Sequence, residues 1–194
     1  DALLATPVAR IGVATGATFT PVYAELVRRQ PDWRDVEFVL LDEYVGLHAD
    51  DPRSFRNTIL RELFEPLGIR ATQLCGPDTS EPVDVQLLGI GRNGHIGFNE
   101  PGSSFASETR EVALARDTRD ANAGAPARAV TRGIATILRA HRIVLVATGA
   151  AKADALANAL DGEPDEAVPA SALQHHDETL VIADDAAAAL LAAR

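Results

Sequence analysis

The chain has 194 residues, and 46% of them are hydrophobic, which predicts one domain with a sizeable core and excludes an intrinsically disordered protein. Its 18 basic and 28 acidic residues give a formal net charge of −10, so neither nucleic acid nor an anionic membrane is expected as the main partner. The single cysteine, Cys75, excludes an intrachain disulfide. Because neither a signal peptide nor an apolar run of roughly 20 residues is visible, we expect a cytoplasmic protein.

Short β-rich runs alternate with helical stretches along the chain. The runs predicted to be buried strands are Arg10–Thr15, Val36–Leu41, Val83–Leu88, Ile143–Ala147 and Thr179–Ala183. Helices are predicted from Thr20, after Ser54, around Ile134–Leu138, at Ala150–Leu160 and at Asp185–Ala193, and a peripheral strand at Thr109–Leu114. This alternation predicts an α/β fold with a largely parallel sheet and helices on both faces, as a single domain over residues 1–194.

The stretch GIGRNGHIGFNEPGSSF, at Gly89–Phe105, directly follows the third strand. Its first three glycines have the G-x-G-x-x-G spacing of a dinucleotide-binding turn, an interpretation that requires a helix at the third glycine. Gly97, Pro101 and Gly102 follow closely, so an extended helix is not expected there. We therefore predict a long shaped loop that carries polar side chains past the end of a strand, where parallel sheets bind ligands.

Candidate acid–base residues occur at the ends of two strands. Asp42 and Glu43 follow the second strand, and His95 lies in the glycine-rich loop between Asn93 and Glu100. A carboxylate can remove a proton from a carbon next to a carbonyl or imine, and a histidine with a carboxylate in reach can move the proton of a ring oxygen. The alternative is a structural one, in which Asp42 caps a turn and the other side chains are solvated.

Two strand-to-helix turns are candidates for binding phosphate. The first is Thr15–Thr18, with Gly16 and Ala17 between the threonines, and the second runs from Thr148 to Lys152. Small residues before a helix leave backbone N–H groups free for an anion, and a lysine in the first helical turn opposes the helix dipole unless an anion binds there. The sequence shows no spacing that is typical of metal ligands. His175 and His176 are adjacent, so their side chains point in different directions on a helix or a strand.

Four segments in collinear order resemble the glucosamine-6-phosphate deaminase family. They are LLDEYVGL at Leu40–Leu47, HIGFNEPG within the glycine-rich loop, ATGAT at Ala14–Thr18 and PASALQHH at Pro169–His176. The resemblance covers about Ile11 to Ala186. It implies a modified Rossmann-type sheet and the conversion of glucosamine 6-phosphate and water to fructose 6-phosphate and ammonia, in N-acetylglucosamine catabolism. That activity would be classed as a hydrolase acting on a C–N bond, with isomerisation, and would need no organic cofactor and no metal.

The same resemblance implies roles for individual residues. Asp42 would be the base that moves a proton between C2 and C1 through an enolamine, with Glu43 tuning or orienting it. His95 would open the sugar ring, oriented by Glu100. The residues that would hold the phosphate are Thr15, Gly16, Ala17, Thr18 and Lys152.

The sequence departs from the family pattern at three places. Asn93 stands where many members have aspartate, which implies a lower histidine pKa. A phosphate-binding arginine of the family is missing at Gly124. The stretch Cys75–Val83 is too short for a family helix, and Asn122–Pro126 is similarly abrupt. We predict that both junctions mark places where lid segments of a longer native chain are missing; the lack of methionine and the start at Asp1 predict that the native N-terminus is missing as well.

Two alternative functions remain open from the sequence. A 6-phosphogluconolactonase shares the fold and a related glycine–histidine loop, but it lacks the FNEP continuation and needs no base at Asp42. A regulatory domain that senses a sugar phosphate would keep the phosphate turns without the acid–base set. The preferred partner is a small amino-sugar phosphate, and a monomer and a homo-oligomer are equally compatible with the sequence.

Overall fold

The computed structural model describes residues 8–114 and 124–192 and contains a central parallel sheet and a small antiparallel one. The strands within those ranges are β1 (Arg10–Val13), β2 (Glu37–Leu40), β3 (Asp42–Tyr44), β4 (Leu74–Cys75), β5 (Val85–Gly89), β6 (Arg110–Ala113), β7 (Arg128–Thr131), β8 (Arg142–Ala147) and β9 (Thr179–Ala183). The central sheet has the order β4-β2-β1-β5-β8-β9, with every pair parallel. This confirms the predicted α/β class and all five predicted core strands.

Helices connect the strands of the central sheet. They are α1 (Thr20–Arg29), α2 (Phe55–Ile59), which continues as a π-helical turn at Leu60–Phe64 and as α3 (Glu65–Leu67), α4 (Ile134–Leu138) and α5 (Ala153–Leu160). Shorter 3-10 turns occur at Ala71–Gln73, Ala150–Lys152 and Pro169–His175. In the part of the chain that the structure describes, no helix has the length and apolar character that crossing a membrane requires.

The antiparallel sheet has the order β3-β7-β6 and was only partly predicted. Its strand β6 confirms the peripheral strand expected at Thr109–Leu114, whereas β7 was not predicted. After β2 the chain leaves the parallel sheet: Leu41 N still donates to Val13 O at 2.9 Å, and Asp42 then pairs with Thr131 of β7. The residues after the second strand are thus fixed by pairing with a segment almost ninety positions away.

The helix predicted at Asp185–Ala193 is wrong. The described residues 184–192 form turns, in which Asp184 accepts hydrogen bonds from the backbone N–H groups of Ala187 and Gly149. The bond from Ala187 N to Asp184 resembles a helix N-cap, but beyond the bond from Ala188 N to Asp184 O the described residues form turns and not a continued helix.

Nine residues, 76–84, connect β4 to β5 without a helix. This connection passes β2 and β1, and it is long enough because β4 has only two residues and lies level with the start of β5. Residues 76–84 contain no helix, in line with the expectation that this stretch is too short for the family helix. Asn122 and its neighbour, at the second abrupt junction, lie outside the described residues, and the two missing lid segments stay a prediction.

Among the described residues, Arg132 is the largest fully buried side chain, and no carboxylate among them lies within ion-pair distance of it. It is 1% exposed, and its Nε and Nη1 have no hydrogen-bond partner among the described residues. Burial lowers its pKa to about 10. By contrast, Arg139 is bound by both oxygens of Glu108.

We therefore expect Arg132→Met to stabilise the protein. Replacing a poorly compensated buried charge by an apolar side chain of similar length is often stabilising by about 1–4 kcal/mol. Urea unfolding would show a higher midpoint for this variant than for the wild type, while Arg139→Met, which breaks an ion pair, gives no such gain. A lower midpoint for Arg132→Met would mean that the guanidinium does have a partner.

Candidate active site

A cavity of about 880 Å³ opens where the strands β1, β5 and β8 of the parallel sheet end. This is the edge at which open α/β sheets bind their ligands. Residues predicted from the sequence that line it are Thr15, Gly16, Ala17, Thr18, Asp42, Asn93, His95 and Lys152. Lining residues that the sequence reasoning missed include Arg53, Phe55, Thr58, Arg61, Glu62 and Arg92.

Asp42 is a buried carboxylate, with 8% of its surface exposed. Burial is the main cause that raises its pKa to about 7, and the negative charge of Glu43 raises it further. The glycine-rich loop approaches closely here: a Cβ on Gly97 would lie 3.4 Å from Asp42 Oδ2 and only 2.9 Å from Thr131 Oγ1. Asp42 is therefore a base poised to gain or lose a proton near neutral pH, in a site that requires glycine opposite it.

Glu43 does not line the cavity but caps helix α2. Its Oε1 accepts from Tyr44 N at 2.8 Å and Phe55 N at 3.1 Å, and its Oε2 accepts from Ser54 Oγ at 2.7 Å and Arg56 N at 2.9 Å. A carboxylate at a helix N-terminus is stabilised by these donors. The structural alternative, in which Glu43 is solvated, is therefore wrong. Glu43 acts on Asp42 through its charge and through the backbone.

His95, Asn93 and Glu100 lie together, and His95 joins the hydrogen bonds of this group through its backbone N–H, since its ring Nδ1 has no hydrogen-bond partner among the described residues. His95 Nδ1 lies 3.5 Å from Glu100 Oε2, and the same oxygen accepts a hydrogen bond from Asn93 Nδ2 at 2.8 Å. Asn93 Oδ1 in turn accepts from His95 N at 3.2 Å. Glu100 does not line this cavity, which suits a group that orients the imidazole from behind.

Gly91 lies directly against the imidazole ring of His95. A Cβ on Gly91 would lie 2.3–2.5 Å from His95 Cε1, Nδ1 and Nε2, so only glycine leaves room for the ring. Gly91 N also donates to His95 O at 2.9 Å, which closes the loop on itself. Gly91, the second glycine of the loop, therefore serves the histidine and not a nucleotide.

The segment 166–170 supports the glycine-rich loop from outside. Glu166 accepts hydrogen bonds from Gly102 N at 2.7 Å and from Phe105 N at 3.0 Å, and Ala170 N donates to Gly94 O at 2.9 Å. Val168 packs against Gly94, whose φ of +83 suits glycine. Ala170 is a residue of the PASALQHH segment that contacts the glycine-rich loop, while Glu166 and Val168 precede that segment and gave no signal in the sequence.

The opposite end of the cavity is positively charged. Lys152 Nζ donates to Ile90 O at 2.6 Å, and its pKa is lowered by burial and by the charge of Arg92. Lys152 ends a 3-10 turn and precedes α5, so it lies just before the helix and not inside its first turn. Gly16, with a φ of +111, faces open space, which leaves its backbone accessible to an anion, whereas Gly149 N already donates to the Asp184 carboxylate.

No group of three or more His, Cys, Asp or Glu side chains in the described ranges has the arrangement of a metal site. The cavity instead combines a buried carboxylate, a histidine supported by a carboxylate, and a cationic end. Chemically, this arrangement can move protons between carbon and oxygen atoms of a substrate held by an anionic group.

Comparison with known proteins identifies close relatives. Residues 71–182 match the family model described as glucosamine-6-phosphate isomerases/6-phosphogluconolactonase. The glucosamine-6-phosphate deaminase of Streptomyces coelicolor is 44% identical over 215 positions, covering 95% of this chain and 82% of the relative. That of Leuconostoc citreum is 43% identical over 202 positions, covering 93% and 87%.

Solved structures agree with the sequence relatives. A structure described as a monomeric glucosamine-6-phosphate deaminase superposes with a TM-score of 0.88 at 38% identity, covering 94% of this chain and 88% of that one. A 6-phosphogluconolactonase from Leishmania guyanensis gives 0.77 at 19% identity, covering 97% and 88%, which is a likeness of fold alone. The 215-position alignment with the Streptomyces coelicolor enzyme is longer than this chain, so that relative has internal residues that this chain lacks.

Proposed function

Since this chain belongs to the glucosamine-6-phosphate deaminase family, we propose that it converts glucosamine 6-phosphate and water to fructose 6-phosphate and ammonia. The observation that carries this proposal is the buried Asp42, with its pKa raised to about 7, in the same cavity as His95 and a cationic end. The proposed steps consist of proton transfers and the addition of water. We therefore propose a reaction without a metal or an organic cofactor.

His95 acts first in this proposal, by opening the sugar ring. The imidazole moves the proton from the C1 hydroxyl to the ring oxygen, which breaks the C1–O5 bond and leaves an aldehyde at C1. Glu100, 3.5 Å from Nδ1, holds the ring orientation and favours one tautomer. Asn93 fixes the Glu100 oxygen that faces the histidine, and so stands in for the second carboxylate that many members have.

Asp42 then removes the proton from C2 of the open-chain aldehyde and returns a proton to C1. The electron pair of the C2–H bond forms an enolamine, and reprotonation at C1 leaves an imine at C2. Water adds to that imine and ammonia leaves, which gives the ketone of fructose 6-phosphate. A carboxylate with a pKa near the working pH suits both the removal and the return of the proton.

The comparisons support an isomerase and deaminase, and they do not support the narrower classification as a hydrolase. The lactonase alternative is weaker, because the lactonases match at 18–22% identity and share the fold only. A sensor without catalysis would not need the buried carboxylate opposite Gly97. A cytoplasmic location and the number of subunits stay predictions.

Ammonia release from glucosamine 6-phosphate by the purified protein tests the proposal directly. We expect turnover with glucosamine 6-phosphate and formation of fructose 6-phosphate in equal amount. Hydrolysis of 6-phosphogluconolactone without ammonia release would replace the proposed function by the lactonase. A protein that binds the amino-sugar phosphate and leaves it unchanged would be a sensor.

Lys152→Ala should weaken binding of the phosphorylated substrate far more than binding of glucosamine itself. A charge-assisted hydrogen bond contributes about 1.5–3 kcal/mol, which is roughly 10- to 150-fold in KM. Steady-state kinetics with both sugars checks this, and unphosphorylated glucosamine serves as the internal control. Equal losses with the two sugars would show that Lys152 does not contact the phosphate.

A further inference from the structure

Arg92 lies in the loop after β5, and the order of the sheet places that loop between the loops after β1 and β8. The loop after β1 carries Thr15–Thr18, and the segment after β8 carries Lys152, all in the lining of one cavity. Lys152 Nζ donates to Ile90 O, two residues before Arg92. The topology and this hydrogen bond together bring the two cationic side chains to the same end of the cavity.

Many arginines elsewhere in the described part of this acidic chain are matched with carboxylates, although Arg132 is not. The matched pairs include Arg10 with Glu37, Arg34 with Asp32, Arg53 with Asp51, Arg61 with Glu62, Arg139 with Glu108 and Arg142 with Glu178. Neither Arg92 nor Lys152 has a carboxylate within ion-pair distance in residues 8–114 and 124–192. Two unmatched cations that line one cavity, in a protein of net charge −10, favour an anion as the ligand of that cavity.

The two charges also disfavour each other, since Arg92 contributes to the lowered pKa of Lys152. An anion bound between them removes this repulsion and gains a hydrogen bond from each. A single negative charge would balance only one of the cations, whereas a phosphate monoester carries about −1.5 to −2 at neutral pH.

On the premise of the proposed function, we propose that Arg92 is a second phosphate ligand that acts with Lys152 to select the dianionic form of a sugar phosphate monoester. The guanidinium fork binds two phosphate oxygens, and the ammonium group of Lys152 binds as a point charge. Because the second ionisation of a phosphate monoester has a pKa of about 6, KM for the substrate falls as pH rises through that value.

The test compares Arg92→Gln with Arg142→Gln. Both variants remove one positive charge, but Arg142 begins β8 at the far end of the sheet and pairs with Glu178. We expect Arg92→Gln to raise KM for glucosamine 6-phosphate about tenfold with little change in kcat, as for loss of one exposed charge-assisted contact. Arg142→Gln keeps the wild-type KM. Equal KM values for the two variants would overturn the proposal.

A binding measurement separates this proposal from the proposed function. Inorganic phosphate is titrated against each protein, and the rise in melting temperature reports binding without turnover. We expect clear protection of the wild type and Arg142→Gln, and much weaker protection of Arg92→Gln. This result supports the site even if the wild type releases no ammonia, and equal protection of all three proteins contradicts it even if the enzyme is active.

Discussion

Asp42→Asn is expected to abolish turnover and, at the same time, to make the protein more stable above neutral pH. Asparagine keeps the size of the side chain but cannot accept a proton from carbon, and the loss of a general base costs about 10²- to 10⁴-fold in rate. Binding of the sugar phosphate should be retained, because Thr15–Thr18 and Lys152 are untouched. Ammonia release at a near wild-type rate would show that Asp42 is not the base.

The stability effect follows from the direction of the pKa shift. The pKa of Asp42 is about 7 in the folded protein and about 3.9 in an unfolded chain, so the folded state binds this proton more tightly. The stability of the wild type is therefore highest below pH 4 as far as this group is concerned, and it falls as pH rises from about 4 to 7. Above pH 7 the cost reaches on the order of 4 kcal/mol, since one pKa unit corresponds to 1.36 kcal/mol.

Urea unfolding of the wild type and Asp42→Asn at pH 5 and pH 8 measures this cost. The variant should be a few kcal/mol more stable at pH 8, and the difference should shrink towards pH 4. Because Asp42 must be deprotonated to act as a base, kcat/KM of the wild type should rise with pH and level off above about 7. A stability difference that does not change with pH would contradict the raised pKa.

Two neighbouring carboxylates thus have opposite environments because a strand places successive side chains on opposite faces. Asp42 points into the cavity, where burial favours the protonated form, while Glu43 lies among the N–H groups that begin α2. The negative charge of Glu43 raises the pKa of Asp42 further. Glu43 therefore both caps helix α2 and tunes the pKa of Asp42.

Much of this arrangement could be predicted from local sequence patterns. Apolar runs between turn residues indicated all five core strands, and parallel strands require their carboxyl ends to meet at one edge, which brought Asp42, His95 and Lys152 together. The role of Glu43 could not be predicted in this way, since its donors Ser54 and Arg56 only reach it once α2 packs on β3.

Other features escaped prediction for a similar reason. Strand β7 is short, and its pairing with β3 depends on contacts between segments far apart in sequence. Arg92 and Lys152 line the same cavity only because of the order of strands in the sheet, which local sequence patterns do not encode. The false helix at the C-terminus shows the converse, because its alanine-rich composition favoured helix although the described residues 184–192 form turns.

Gly91→Ala is expected to inactivate the enzyme while leaving the fold and phosphate binding intact. The new methyl group would lie 2.3–2.5 Å from three atoms of the His95 ring, and atoms of this kind do not approach closer than about 3 Å. The backbone cannot yield independently, because Gly91 N donates to His95 O. The ring must therefore swing away from Glu100 and from the ring oxygen of the substrate, and a misplacement of about 1 Å at a reacting group can cost 10²-fold.

The same substitution two residues earlier provides the control, since a Cβ on Gly89 would meet Phe19 at an ordinary 3.5 Å. We expect kcat/KM of Gly91→Ala to fall about 100-fold or more, with kcat carrying most of the loss, while Gly89→Ala stays close to the wild type. Protection by inorganic phosphate should be the same in both variants, because the cationic end of the cavity is unchanged. The NMR signal of His95 Cε1–H should move only in Gly91→Ala. If Gly91→Ala is fully active and its histidine signal is unchanged, the ring does not rest on Gly91, and the assignment of the loop's glycines to histidine placement fails.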